Sequence, residues 1–154
     1  MSLLFGSERP SLDAHLYGVG CFTAPAASQT DNGVTADSNG VSVHYHEFPF
    51  DCQFNGIQFL ASNVTLGDHV SFEVQYNAGA AGWKRYKRFG KEWFVSNDKL
   101  LDILLFPANA TTSSRLVISY KNTGSSSAKF FINLFAFTDF ENVNTSQLEE
   151  GTDW

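Results

Sequence analysis

The chain has little of what most functional classes require. Only Cys21 and Cys52 occur in 154 residues, too few for a disulfide scaffold and without CxxC spacing, so they read as two buried thiols. No run approaches the roughly 18 apolar residues that cross a bilayer as a helix, and no membrane span is expected. The opening MSLLFGSERP carries no basic n-region followed by a long apolar core, so no export signal is expected. The sequons at Asn63, Asn109 and Asn144 accordingly read as polar turns. No GxSxG, P-loop, GxGxxG or HExxH is present, and the scattered carboxylates nominate no catalytic pair. An enzyme is therefore not expected, nor is a cofactor. Positive charge is also scarce: 10 Lys and Arg stand against 16 Asp and Glu, a net charge of −6. That balance disfavours non-specific binding to nucleic acid or an anionic membrane.

What the chain does have is aromatic mass. It holds 15 phenylalanines against 1 methionine, in a sequence that is 43% hydrophobic and 17% charged. Phenylalanine and tyrosine fit a pleated sheet better than a helix. A chain of this length is expected to fold as one domain and bury roughly 70% of its unfolded surface. The stretch from Arg115 to Phe140, RLVISYKNTGSSSAKFFINLFAFTDF, organises the rest. Two apolar runs, Leu116–Tyr120 and Lys129–Phe137, flank the polar tract Asn122–Ser127, which reads as the turn of a hairpin. The second run is apolar on both faces, so both faces are expected to be covered.

Residues 1–16 read as an N-terminal arm, 17–138 as a β-sandwich body and 139–154 as an acidic C-terminal arm. Leu16–Thr23 is a first strand, and the small, polar residues 24–40 form an exposed loop or flexible connection. In Val41–His46, Val41, Val43 and Tyr45 alternate with Ser42, His44 and His46, the pattern of a half-buried strand. Phe54–Ala61 follows. His69–Tyr76 alternates most clearly, with Val70, Phe72, Val74 and Tyr76 inward and Ser71, Glu73 and Gln75 outward. Trp83–Val95 resumes, and Leu100–Phe106 is an apolar run that Pro107 should end. About eight short antiparallel strands at this spacing describe an all-β sandwich of the jelly-roll kind.

Two constellations carry possible chemistry. His44 and His46 project from one face of a strand, the spacing by which strands hold a metal. No second motif supports a site, and the pair reads as two histidines on the solvent face; no metal is assigned. The second is WKRYKRFGK, in which Lys84, Arg85, Lys87, Arg88 and Lys91 are interleaved with Trp83, Tyr86 and Phe89. Such a strip can meet single-stranded nucleic acid, an acidic protein surface, or water alone as a charged edge strand. The protein-partner reading gains from the tail, where Asp139–Trp154 holds five carboxylates and no Lys or Arg. If the tail cannot reach its own strip, it can dock on a neighbour's. The partner-binding residues are then Trp83, Lys84, Arg85, Tyr86, Lys87, Arg88, Lys91 and Trp154.

The run from VSVHYHEF through RLVISYKNTGSSSAKFFINLFAF, with extended ends, resembles the jelly-roll virion proteins of tailed bacteriophages. The resemblance is to head decoration (cement) proteins or small tail components, and no residue role is carried over. It implies self-assembly, commonly as a homotrimer, on a major capsid or tail protein within a virion made in the host cytoplasm. A second resemblance is to carbohydrate-binding modules, which close with a similar pattern and stack aromatic side chains on sugars. Trp83, Tyr86 and Trp93 would be that platform, and a glycan the partner.

Overall fold

The computed structural model describes residues 14–89, 91–137 and 152–153. Among the described residues twelve strands occur in chain order: β1 Ala14–Ala24, β2 Thr30–Asp31, β3 Val34–Thr35, β4 Val41–Glu47, β5 Cys52–Ser62 and β6 His69–Asn77. They continue as β7 Trp83–Arg88, β8 Trp93–Phe94, β9 Leu101–Ala110, β10 Ser114–Lys121, β11 Ala128–Phe137 and β12 Thr152–Asp153. One sheet runs β1-β11-β5-β9; the other runs β12-β7-β6-β10-β4, with β8 beside β6. The eight principal strands nest in pairs: β1 with β11, β4 with β10, β5 with β9 and β6 with β7, all antiparallel. First pairs with last, second with seventh, third with sixth and fourth with fifth, alternately in the two sheets. That nesting is a jelly roll.

The regular alternation of β6 behaves as its sequence says. Val70, Phe72 and Val74 are buried, with Ser71, Glu73 and Gln75 on the outer side. β11 carries the centre of the core. The Phe130 ring stacks on Phe22, Phe59 and Tyr120 at 5.2, 5.3 and 5.3 Å between centroids, and takes His44 edge-on at 5.1 Å. Ile132, Leu134 and Ala136 extend the same buried row, whereas Phe131, Phe135 and Phe137 are half-buried on the outer side. The strand is thus apolar on both faces but sealed on only one.

Several expectations give way to long-range pairing. Arg115–Phe137 is no hairpin: β10 and β11 belong to different sheets, and 122–127 crosses between them. Asn122 shapes that crossing. Its buried amide donates to the carbonyls of Ala24 and Ser126, both at 2.9 Å, while its oxygen accepts from the Gly124 amide at 2.8 Å. Asp68 anchors the other side, accepting from the Tyr120 hydroxyl at 2.9 Å and from Thr123 N–H and O–H at 2.8 Å each. Pro107 does not end its strand, because β9 lies at a sheet edge and Pro107 falls where its register with β5 shifts, so no ladder bond is lost. Residues 24–40 are structured by the β2–β3 hairpin, whose Asn32-Gly33 turn has φ of 51° and 78°, the pairing that a tight primed turn demands. Asn109 is buried within β9 rather than in a turn.

The two arms are only partly described. β1 already begins at Ala14, inside the expected 1–16 arm. Of the 139–154 tail, Thr152–Asp153 adds a short parallel strand to β7.

Phe130→Ala should lower unfolding free energy by about 3–5 kcal/mol, because it opens a cavity that four rings share. Phe131→Ala, one residue away on the outer side, should cost about 1 kcal/mol. Urea melts of the two variants check this, and equal losses would contradict the assignment of faces.

Candidate ligand-binding face

The strand that carries the basic strip is bent by a β-bulge. Its register with β6 shifts between Val74 and Gln75, which face Lys87 and Arg85, so Tyr86 is the extra residue. A bulge re-aims side chains, and here it turns both Tyr86 and Lys87 inward, at 3% and 0% exposure. Lys87 Nζ donates to the Pro107 carbonyl at 2.8 Å and lies 5.5 Å from the Phe89 ring. Burial pushes this ammonium down to about 8. The strip is therefore not one cationic surface. Arg85, Arg88 and Lys91 are exposed and Trp83 and Lys84 half-buried, whereas Tyr86 and Lys87 face inward and cannot contact a partner. The chain's own Thr152–Asp153 already lies along Lys87–Arg88. Trp154 lies outside the described residues.

A second side of the sheet emerges instead, assembled from four adjacent strands. The Arg115 guanidinium sits between two rings, its Cζ 4.1 Å from the centroid of Tyr45 and 4.2 Å from that of Trp83. Its Nε donates to Gln75 Oε1 at 2.8 Å, and Gln75 Nε2 donates to Glu73 Oε2 at 2.7 Å. Glu73 Oε1 then meets Arg85 Nε at 3.3 Å. Ring, guanidinium, ring, carboxamide, carboxylate and guanidinium thus run across β4, β10, β6 and β7 on the outer face. Each planar group is held by its neighbour, which restricts its rotamers before any further contact is made. Tyr45 keeps 53% of its surface exposed and Val43 beside it 41%.

This arrangement depends on the phase of β4, which is opposite to the sequence expectation. Ser42 and His44 point into the core, at 1% and 4% exposure, and Val43 and Tyr45 point out. β4 pairs with β10 so that His44 lies beside Ile118 and Tyr45 beside Val117, and the inward row of β10 is sealed at Ile118 and Tyr120. An imidazole is tolerated inside because its polar edge is satisfied: His44 Nε2 bonds the Ser42 hydroxyl at 2.9 Å. His46, half-buried, bonds the Tyr17 hydroxyl through Nε2 at 2.6 Å. The pair does share a face, as its spacing says, but that face is the inner one. Among the described residues no group of three His, Cys, Asp or Glu side chains is placed to hold a metal.

Of the three aromatic residues expected as a platform, only Trp83 belongs to the face. Tyr86 is interior, and Trp93 leans on the core ring of Phe72 at 5.8 Å. Tyr45 and Arg115 take their places. The outward positions of Glu73 and Gln75 are legible in the alternation of β6; the contribution of Tyr45 and Arg115 is not. Both cysteines are free and both lie in the smaller sheet; Cys52 is buried as expected, but Cys21, on the outer side of β1, is exposed.

No protein-family model matches the chain. No curated protein matches it either. Among solved structures, it is similar to the CBM32 of AlyQ in complex with 4,5-unsaturated mannuronic acid (TM-score 0.42, 9% identity, 79% of this chain and 98% of that one). It is likewise similar to the CBM22-1–GH10 modules of Clostridium thermocellum xylanase 10B (TM-score 0.42, 11% identity), covering 79% of this chain and 25% of that one. A third is the Yersinia pseudotuberculosis-derived mitogen (TM-score 0.38, 12% identity, 86% of this chain and 95% of that one). These likenesses are too distant to carry a residue or a ligand across.

The inward histidines make stability depend on acidity. Burial pushes His44 down to about 4 from an ordinary 6.5 and lowers His46 as well. A depressed histidine is neutral in both states above its unfolded value, so its contribution is complete there. As pH falls from 6.5 towards 4, only the unfolded chain takes up the proton, and stability drops by up to about 1.4 kcal/mol per pH unit for one such group. Urea midpoints should hold above neutrality, decline through this window, and decline less in His44→Phe. A midpoint independent of pH would contradict the inward placement.

Proposed function

We propose that this chain is a non-catalytic saccharide-binding domain that uses the outer face of its larger sheet. The observation that supports the reading is the fixed stack of Tyr45, Arg115 and Trp83, continued by Gln75, Glu73 and Arg85. A sugar ring offers an apolar C–H face and a rim of hydroxyls. Aromatic bodies with polar tips suit the first, and planar amide, carboxylate and guanidinium groups suit the second. The face is open and crosses four strands, which fits an extended chain better than one enclosed residue. The buried Tyr86 and Lys87 have no part in it.

Under this reading the protein should be retained on one of a panel of immobilised polysaccharides. Tyr45→Ala and Trp83→Ala should each weaken that retention by about tenfold or more, the scale of losing an aromatic anchor. Arg88→Ala, outside the stack, should leave it within about twofold. Retention insensitive to Tyr45 and Trp83 would sink the proposal.

A second reading, a virion accessory protein that assembles with copies of itself, draws on the other sheet. Its outer side presents Leu16 at 53% exposure, with Phe135 opposite it in register and Phe137 two residues on. Exposed apolar groups gathered on one face mark contact surfaces. Sedimentation equilibrium separates the readings: a trimer that Leu16→Asp dissociates supports assembly, and a monomer at all concentrations counts against it.

A further inference from the structure

The smaller sheet carries a trough of its own, on the side opposite the stacked face. A cavity of about 380 Å³ opens over the ends of β1, β11 and β5. Its floor is two cross-strand rows fixed by the register: Cys21, Phe131 and Leu60 in one, Thr23, Lys129 and Ser62 in the next. The first row is largely apolar, and the second offers two hydroxyls around an ammonium. Asn32, at the tip of the β2–β3 hairpin, forms one wall and leans on Thr23 (Nδ2 to Oγ1, 3.4 Å). Asp98 forms the other; its own amide is tied to the Ala61 carbonyl at 2.8 Å.

Size and chemistry together define an occupant. Ligand pockets run from roughly 300 to 1,000 Å³, so this one sits at the small end. Three strands at about 4.8 Å spacing give a floor roughly 10 Å wide, room for one six-membered ring with its substituents. Lys129 and Asp98 are exposed, and neither side chain has a polar partner among the described residues. We propose that the trough binds a single sugar ring bearing a carboxylate. The carboxylate meets Lys129, the ring hydroxyls meet Asp98, Asn32 and Ser62, and the ring's apolar side rests on Phe131 and Leu60. A free amino acid would answer the two charges but leave the surrounding hydroxyl and amide groups without partners. The site is independent of the stack formed by Tyr45, Arg115 and Trp83.

The native thiols supply the assay. Cys52 is buried and its thiol is pushed up to about 12, so a disulfide-exchange reagent reads Cys21 in the trough. Free galacturonate at millimolar concentration should slow that reaction about fivefold or more. Glucose, with the same ring size and no carboxylate, should protect about tenfold less well. Lys129→Met should weaken galacturonate protection by about tenfold, and Tyr45→Ala should leave it unchanged. Amide NMR shifts confined to residues 21–23, 60–62, 98 and 129–131 would support the site and need no variant to fold. No protection, equal protection by glucose or by free glutamate, indifference to Lys129→Met, or shifts centred on Tyr45 would each overturn it.

Discussion

The whole molecule depends on one contact between its layers: the ring of Phe130 against those of Tyr120, Phe59 and Phe22. Phe130, Phe59 and Phe22 come from the smaller sheet and Tyr120 from the larger, so the cluster sets the spacing at which the two sheets meet. Its polar counterpart is Asp68, whose carboxylate collects the Tyr120 hydroxyl and the Thr123 amide and hydroxyl at the point where the chain leaves the larger sheet. A buried carboxylate is tolerated only when such donors surround it. Ring cluster and carboxylate meet at Tyr120, so side-chain packing and chain crossing are determined together.

That arrangement has consequences on the outside. Because His44 is the ring that closes the cluster from β4, its neighbours Val43 and Tyr45 must face solvent, and a strand's period of two allows nothing else. Tyr45 then lies within reach of Arg115, whose own strand buries Leu116 and Ile118 on the inner side. On β7 the bulge at Tyr86 plays the same part. It turns Tyr86 and Lys87 inward and leaves Trp83 and Arg85 outside. The stacked face is the outer imprint of how the core is filled.

How much of this was legible in the sequence follows the range of each interaction. The all-β sandwich, the eight principal strands and the phase of β6 rest on local alternation and turn chemistry, and the sequence carries both. The phase of β4 runs against residue polarity: Ser42 and His44 are inside and Val43 and Tyr45 outside. An imidazole with a nearby hydroxyl can be buried, and a tyrosine with a cation over its ring can be exposed. Asn122–Ser127 has the composition of a hairpin turn, yet composition does not distinguish a turn within a sheet from a crossing between sheets. The bulge at Tyr86 arises from pairing with β6, so a run of basic residues looked like one surface when it was two. Tyr45 and Arg115 become neighbours only through the pairing of β4 with β10, and no local pattern reports that.

The central proposal is that this protein meets a saccharide at the Tyr45–Arg115–Trp83 stack. The most direct measurement is an NMR titration with a bound oligosaccharide, following the indole N–H of Trp83 and the guanidinium Nε–H of Arg115. The account predicts saturable shifts at both, with the indole of Trp93, which rests on Phe72, unmoved. Binding that shifts Trp93 or leaves Trp83 and Arg115 untouched would contradict it.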